Sequence, residues 1–236
     1  MPTVLTSFGP NRISAQKEAL KTWLEMGLYV VALQSDKELE DYANVQTFPQ
    51  VQFIPNNDTV KDFNVPAQKI SSFLQYIKKN GKALILNSDI EIHCERRRFY
   101  NYYSNDNPTA CIRYNYVNTW DRSEREPWGI DGFILDKHHV CSIPDIGLGM
   151  GVPFWDYWLP YHLTHIGEEI INFVGEEMFF HMHHGENWSN KDWAKAAKLF
   201  LDYYGIEEPY WPEFRRQWPY GGCECLVYAK AEGLVV

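Results

Sequence analysis

The first ninety residues alternate short apolar runs with stretches in which apolar positions recur every three or four residues. Val4 to Phe8 predicts a strand that stops at the Gly9-Pro10 turn signal. From Ser14, which suits a helix N-cap, Ala15, Ala19, Leu20, Trp23 and Leu24 share one helical face, and Gly27 ends it. Leu28 to Leu33 and Val51 to Ile54 predict second and third strands. Ile70, Phe73, Leu74 and Ile77 outline another amphipathic helix, which stops at Gly81. The next segment, KALILNSDIEIH over residues 82–93, starts as a fully apolar strand and then runs into acids. Strands separated by helices demand right-handed crossovers, so the pattern predicts an α/β chain with a mostly parallel central sheet flanked by helices.

After residue 100 the pattern loosens. Ala110 to Val117 and Ile130 to Leu135 predict two more strands, and Asp192 to Tyr204 a helix burying Trp193, Ala197, Phe200 and Tyr204. Loops are expected to fill the remainder of this half, which holds eight of the nine tryptophans and ends in an aromatic, Pro-rich tail after Pro209 wrapping the surface. No repeat or linker divides the 236 residues, so they read as one domain with unequal halves, 1–100 and 101–236.

Composition removes several function classes. A net charge of −9 with no basic run argues against a nucleic-acid partner. The five cysteines are odd in number and form no C-x-x-C pair, which suits a reduced compartment. The start MPTVLTSFG lacks the features of a signal peptide, and no apolar run nears the ~20 residues that cross a bilayer. The expectation is a cytoplasmic chain. Neither G-x-G-x-x-G nor G-x-x-x-x-G-K-[ST] occurs, so dinucleotide and P-loop sites find no support.

The candidate chemistry lies where the core runs out. In an open α/β sheet, ligands collect beyond the carboxyl ends of the strands, which is where Asp89 stands. Strand alternation predicts Asn87, Asp89 and Glu91 on one side, a hard-oxygen set suited to Mg²⁺ or Mn²⁺. Solvated acids at a strand end are the alternative. His181, His183 and His184 crowd one segment near Glu186, a density typical of metal ligation, although loop histidines are common. Asp156 stands between Trp155 and Tyr157, where desolvation raises a carboxyl pKa and makes a better base, unless Asp156 caps a helix among core tryptophans. Asp131, inside an apolar strand, needs a polar partner. Glu168-Glu169, Glu176-Glu177 and the Glu95 to Arg98 cluster read as solvated faces.

The β-α-β start followed by the strand LILNSDI resembles the nucleotide-sugar half of GT-A-fold glycosyltransferases. Their D-x-D-like motif matches Asn87-Ser88-Asp89, with Asn in place of the first acid. GIDGFIL (Gly129 to Leu135), GMGVPFWDYWL (Gly149 to Leu159) and FFHMHHGENWS (Phe179 to Ser189) follow in order. They are similar to downstream elements of a GT-A subgroup that includes capsid-glycosylating enzymes of large algal viruses. The resemblance covers roughly residues 3 to 190.

This resemblance implies a GT-A-like fold with a nucleotide-binding half, 1–100, and a donor-sugar and acceptor half, 101–236. It also implies Mn²⁺ or Mg²⁺ held by Asp89 with His184, or with His181 as the second choice. Nucleotide contacts fall to Thr6, Ser7, Phe8, Arg12, Asp36, Lys69 and Asn87, and sugar contacts to Asp131, Trp155 and Trp158. Asp156 becomes the general base of an inverting transfer from a nucleotide-diphosphate sugar, UDP favoured, to a glycan or other hydroxyl acceptor. Two other functions stand beside it: a sugar nucleotidyltransferase, and a non-catalytic carbohydrate-binding protein.

Overall fold

The computed structural model describes residues 1–63, 66–165, 170–184 and 189–205. In chain order the elements are β1 (Thr3–Thr6), α1 (Ile13–Glu25), β2 (Tyr29–Gln34), α2 (Asp36–Asp41), β3 (Gln52–Pro55), β4 (Thr59–Val60), β5 (Ala67–Gln68), α3 (Ile70–Asn80) and β6 (Ala83–Leu86). The second half adds β7 (Ile90–Ile92), α4 (Arg96–Ser104), β8 (Thr109–Tyr116), β9 (Glu124–Leu135), α5 (Lys137–Val140), α6 (Trp155–His165), β10 (Asn172–Met182) and α7 (Asn190–Tyr204).

Among the described residues, eight strands make one sheet in the order β3-β2-β1-β6-β9-β8-β10-β7, and β4-β5 is a separate small hairpin. Strands β3, β2, β1 and β6 pair in parallel. β9 runs antiparallel to both β6 and β8, β10 follows β8 in parallel, and β7 pairs antiparallel with β10 at the edge. The sheet is therefore mostly parallel, with only β9 and β7 reversed, and helices cover it as the alternating pattern predicts.

The unbroken ALIL run of β6 has a direct cause. Ala83 and Ile85 pack into one core with α3, α6 and α7, while Leu84 and Leu86 pack into the other with α1 and α4. Leu84, Ile85 and Leu86 are all fully buried, each contributing on the order of 1.5–3 kcal/mol relative to exposure. A strand apolar on both faces belongs mid-sheet.

Three local expectations change. Residues 82–93 do not form one strand: β6 stops at Leu86, the chain turns through Ser88 and Asp89, and Ile90–Ile92 becomes the far edge strand. Helix α1 holds that edge, since Trp23 Nε1 donates to the Ile90 carbonyl at 2.8 Å and Thr22 Oγ1 accepts from the Ile92 amide at 2.9 Å. The N-cap of α1 is Arg12 in a left-handed conformation, not Ser14, which lies inside the helix. Finally, the second half is less loop-rich than its pattern suggests: Phe179 to His181 lie in an eleven-residue strand, and Asp156 to Trp158 in a helix. Helix α7 starts from a reciprocal Ser189–Asp192 capping box and buries Ala197 and Phe200 as expected.

Among the described residues no helix is long and apolar enough to cross a membrane, and Cys94, Cys111 and Cys141 are free thiols. Glu168, Glu169, Glu186 and the aromatic tail beyond residue 205 lie outside the described residues.

Candidate metal centre

The turn after β6 and the carboxyl end of β10 meet at Asp89, His181 and His184. Asp89 Oδ2 lies 3.6 Å from Nε2 of each imidazole, and the two Nε2 atoms are 2.9 Å apart. All three ligand atoms lie within 4.8 Å of one another. Burial by itself would raise the Asp89 carboxyl; the His181 and His184 imidazoles beside it, with the Arg12 charge, reverse that and hold it well below the usual carboxylate range. Asp89 therefore stays ionised and available as a ligand.

Asn115, on β8, sets the ring of His181. Asn115 Oδ1 faces Nδ1 at 3.1 Å, an acceptor for Nδ1–H that turns Nε2 towards the cluster, where a bound ion would take its lone pair. His181 is buried, so this partner orients its ring. One carboxylate oxygen and two imidazole nitrogens fit a divalent cation, and the two nitrogens favour a first-row transition ion over Mg²⁺. The resemblance implies His184 as the ligand, with His181 as the second choice; the geometry brings both to Asp89.

A second polar group adjoins the end of β6. Asn87 Nδ2 donates to Asp131 Oδ1 at 2.6 Å, and Arg113 Nη1 donates to Asp131 Oδ2 at 2.8 Å. The glycines around Asp131 make this possible. A Cβ on Gly129 would sit 2.5 Å from Arg113 Nε, and one on Gly132 would sit 2.6 Å from Leu86 Cδ1 and 3.1 Å from the Ile85 carbonyl oxygen. Gly129 thus gives Arg113 its path across β9, and Gly132 lets β9 close on β6. The partner demanded by a buried strand acid is this Asn–Arg pair.

Asp156 lies in the first turn of α6, a helix that starts directly after Phe154, whose φ of 77° is strained for an aromatic residue. Burial and the nearby Asp131 charge push the Asp156 carboxyl up to about 8. The desolvation expected from its aromatic neighbours is therefore present, although one part of the residue remains open to solvent.

Several expected contacts fall elsewhere. Trp155 and Trp158 are 2% and 1% exposed and serve the core, Trp155 edge-on to Phe133. Their faces are not open to a sugar, because α6 turns them towards the sheet. Phe8 is buried against Phe48 with ring centres 4.0 Å apart, and Thr6 is buried with its hydroxyl donating to the Leu86 carbonyl at 2.8 Å. These two shape the loop after β1 from within. Lys69 bridges Asp58 at 2.9 Å and Asp145 at 3.2 Å, so two carboxylates already hold its charge. Asp36 is exposed on α2, accepting from Asn57 at 2.7 Å, and Ser7 is half-buried in the loop after β1.

Glu91 does not join Asp89, because the turn at 88–89 breaks the alternation. It is buried, with its carboxylate accepting from the Tyr116 hydroxyl and lying 2.6 Å from His93 Nε2.

Sequence reasoning missed Arg113, Asn115 and Gln34. The first two carry a readable signal: within CIRYNY they are polar residues two apart, hence on one side of a strand. Gln34 is buried at the end of β2 and pairs its amide with both backbone groups of Phe8, fixing the loop after β1. Nothing local in the sequence marks it.

Neither protein-family models nor curated proteins yield a match to this chain. Solved structures similar to it include HddC from Yersinia pseudotuberculosis, 12% identical over 85% of this chain and 100% of that one, with a TM-score of 0.45. A candidate glucose-1-phosphate thymidylyltransferase from Bacillus anthracis, solved with sucrose, is 10% identical over 83% and 95% of the two chains, at 0.46. A candidate nucleotide-diphospho-sugar transferase from Desulfovibrio desulfuricans is 10% identical over 86% and 99%, at 0.44. Likeness of this degree leaves the function to be argued from the site itself.

Proposed function

We propose that this chain is a metal-dependent glycosyltransferase acting on a nucleotide-diphosphate sugar, UDP favoured, with a glycan or other hydroxyl as acceptor. The observation that carries the reading is the meeting of Asp89, His181 and His184 at the carboxyl edge of the sheet, two residues beyond Asn87, which pairs with Asp131. Asp89, His181 and His184 would hold Mn²⁺, which supplies Lewis-acid stabilisation to a leaving diphosphate. Asn87 and Arg113 hold Asp131 in place, from where it can accept hydrogen bonds from sugar hydroxyls. Asp156, a stronger base than an exposed carboxylate, takes the proton of the acceptor hydroxyl as that oxygen attacks the anomeric carbon. Inversion at that carbon follows from a direct displacement.

The test is calorimetry of UDP and UDP-sugars with and without Mn²⁺, on wild type and Asp89→Ala. The reading requires metal-enhanced binding that Asp89→Ala removes; equal enhancement in the variant sinks it. A second reading is a sugar nucleotidyltransferase, a class that starts with a glycine-rich, Arg-bearing loop; here the loop after β1, TSFGPNR, has Arg12 but a single Gly. Pyrophosphate release from a nucleoside triphosphate and a sugar phosphate would select it over glycosyl transfer.

A further inference from the structure

Arg12 and a divalent ion want the same carboxylate oxygen. Arg12 Nη1 lies 3.0 Å from Asp89 Oδ2, the oxygen that faces both imidazoles, and it also meets His184 Nε2. An ion bound by Asp89 Oδ2 and the two Nε2 atoms stands about 2.0–2.2 Å from each. A guanidinium nitrogen on the same oxygen and on the His184 lone pair leaves no room for it, and like charge opposes both being there.

The backbone aims Arg12 at this point. Its φ of 59° and ψ of 38° are left-handed, and among the described residues only Phe154 shares a positive φ without being glycine. Arg12 occupies the N-cap of α1 without capping it by side chain; its carbonyl accepts from the Gln16 amide at 3.1 Å, while the Gln16 side chain donates to the Gly9 carbonyl at 3.0 Å. The loop is thus built around a strained residue whose charge reaches the cluster.

We propose that Arg12 is a placeholder cation: it neutralises Asp89 and occupies His184, and gives up both when a nucleotide diphosphate offers its own anionic oxygens. This rests on the metal and diphosphate reading above and adds an order of binding to it. The metal binds weakly alone and tightly with the nucleotide, and the coupling is reciprocal.

Mn²⁺ titration of the full chain, followed by electron paramagnetic resonance with and without UDP, tests this. Arg12→Gln should bind Mn²⁺ alone about tenfold more tightly than wild type, and the gain from UDP should shrink by a similar factor, within ordinary site coupling. Arg12→Gly, which suits the left-handed backbone, should behave alike and guards against a folding artefact in the Gln variant. Arg12→Lys should stay near wild type. If both charge-removing variants, folded by circular dichroism, bind Mn²⁺ alone no more tightly than wild type while UDP still enhances binding, the placeholder role is wrong and the metal reading survives. If no folded form binds Mn²⁺ even with UDP, the metal reading itself fails and takes this role with it.

Discussion

Asn115 Oδ1 faces Nδ1 of His181 at 3.1 Å, so a residue near the carboxyl end of β8 turns Nε2 of a β10 imidazole towards Asp89. Partners of this kind typically carry a tenfold to hundredfold share of metal affinity. Asn115→Ala should therefore weaken Mn²⁺ binding by about 10- to 100-fold with the fold intact, whereas Asn115→Asp, still an acceptor, should retain most of it. Unchanged affinity in Asn115→Ala would leave the His181 ring oriented by something else.

His181→Ala and His184→Ala should each reduce metal-enhanced nucleotide binding, since the geometry brings both nitrogens equally close to Asp89. His181 is the more buried of the two and should also lose some thermal stability. A variant with wild-type metal response removes that imidazole from the ligand set.

Asp156→Asn should lower turnover by about 10²- to 10⁴-fold, the usual range for losing positioned proton transfer, with UDP-sugar affinity nearly intact. The wild-type kcat/KM should rise with pH through the Asp156 value of about 8, because only the ionised carboxylate can take a proton. Product configuration read by NMR completes the test: retention at the anomeric carbon, or near-normal turnover, moves the base role to another group.

The same carboxyl predicts a stability slope. Asp156 has a folded pKa raised above its unfolded value, so between about pH 4 and 8 the unfolded chain releases a proton that the folded chain keeps. Its contribution to stability is thus greatest at low pH and lost as pH rises towards 8. Urea unfolding across this range should show Asp156→Asn gaining on wild type as pH increases; parallel curves would contradict the desolvated carboxyl.

Gly129→Ala should cost about 1–3 kcal/mol, because a Cβ 2.5 Å from Arg113 Nε forces Arg113 off Asp131. Denaturant midpoints check the magnitude. A neutral result would mean that Arg113 reaches Asp131 by another path.

The sequence alone determined the parallel half of the sheet. Its inner strands β1, β2 and β6 are buried on both faces and helices α1 and α3 on one, so runs such as ALIL, and the spacing of Ile70, Phe73, Leu74 and Ile77, report burial directly. Asp89 was legible for the same reason: it stands immediately where the apolar run ends. The clustered histidines were legible by density, but not their joint approach to one oxygen, because local periodicity carries no information on which distant strand pairs with which. Tertiary structure alone decided that β7 leaves β6 for the far edge, which sends Glu91 to Tyr116 and His93 instead of Asp89. It alone turned Trp155 and Trp158 inward, since an aromatic side chain suits a core and a sugar platform equally well until its helix is docked. Arg113, Asn115 and Arg12 acquire their roles only through the pairing of β8 with β9 and β10 and the left-handed entry to α1, contacts between residues far apart in the chain.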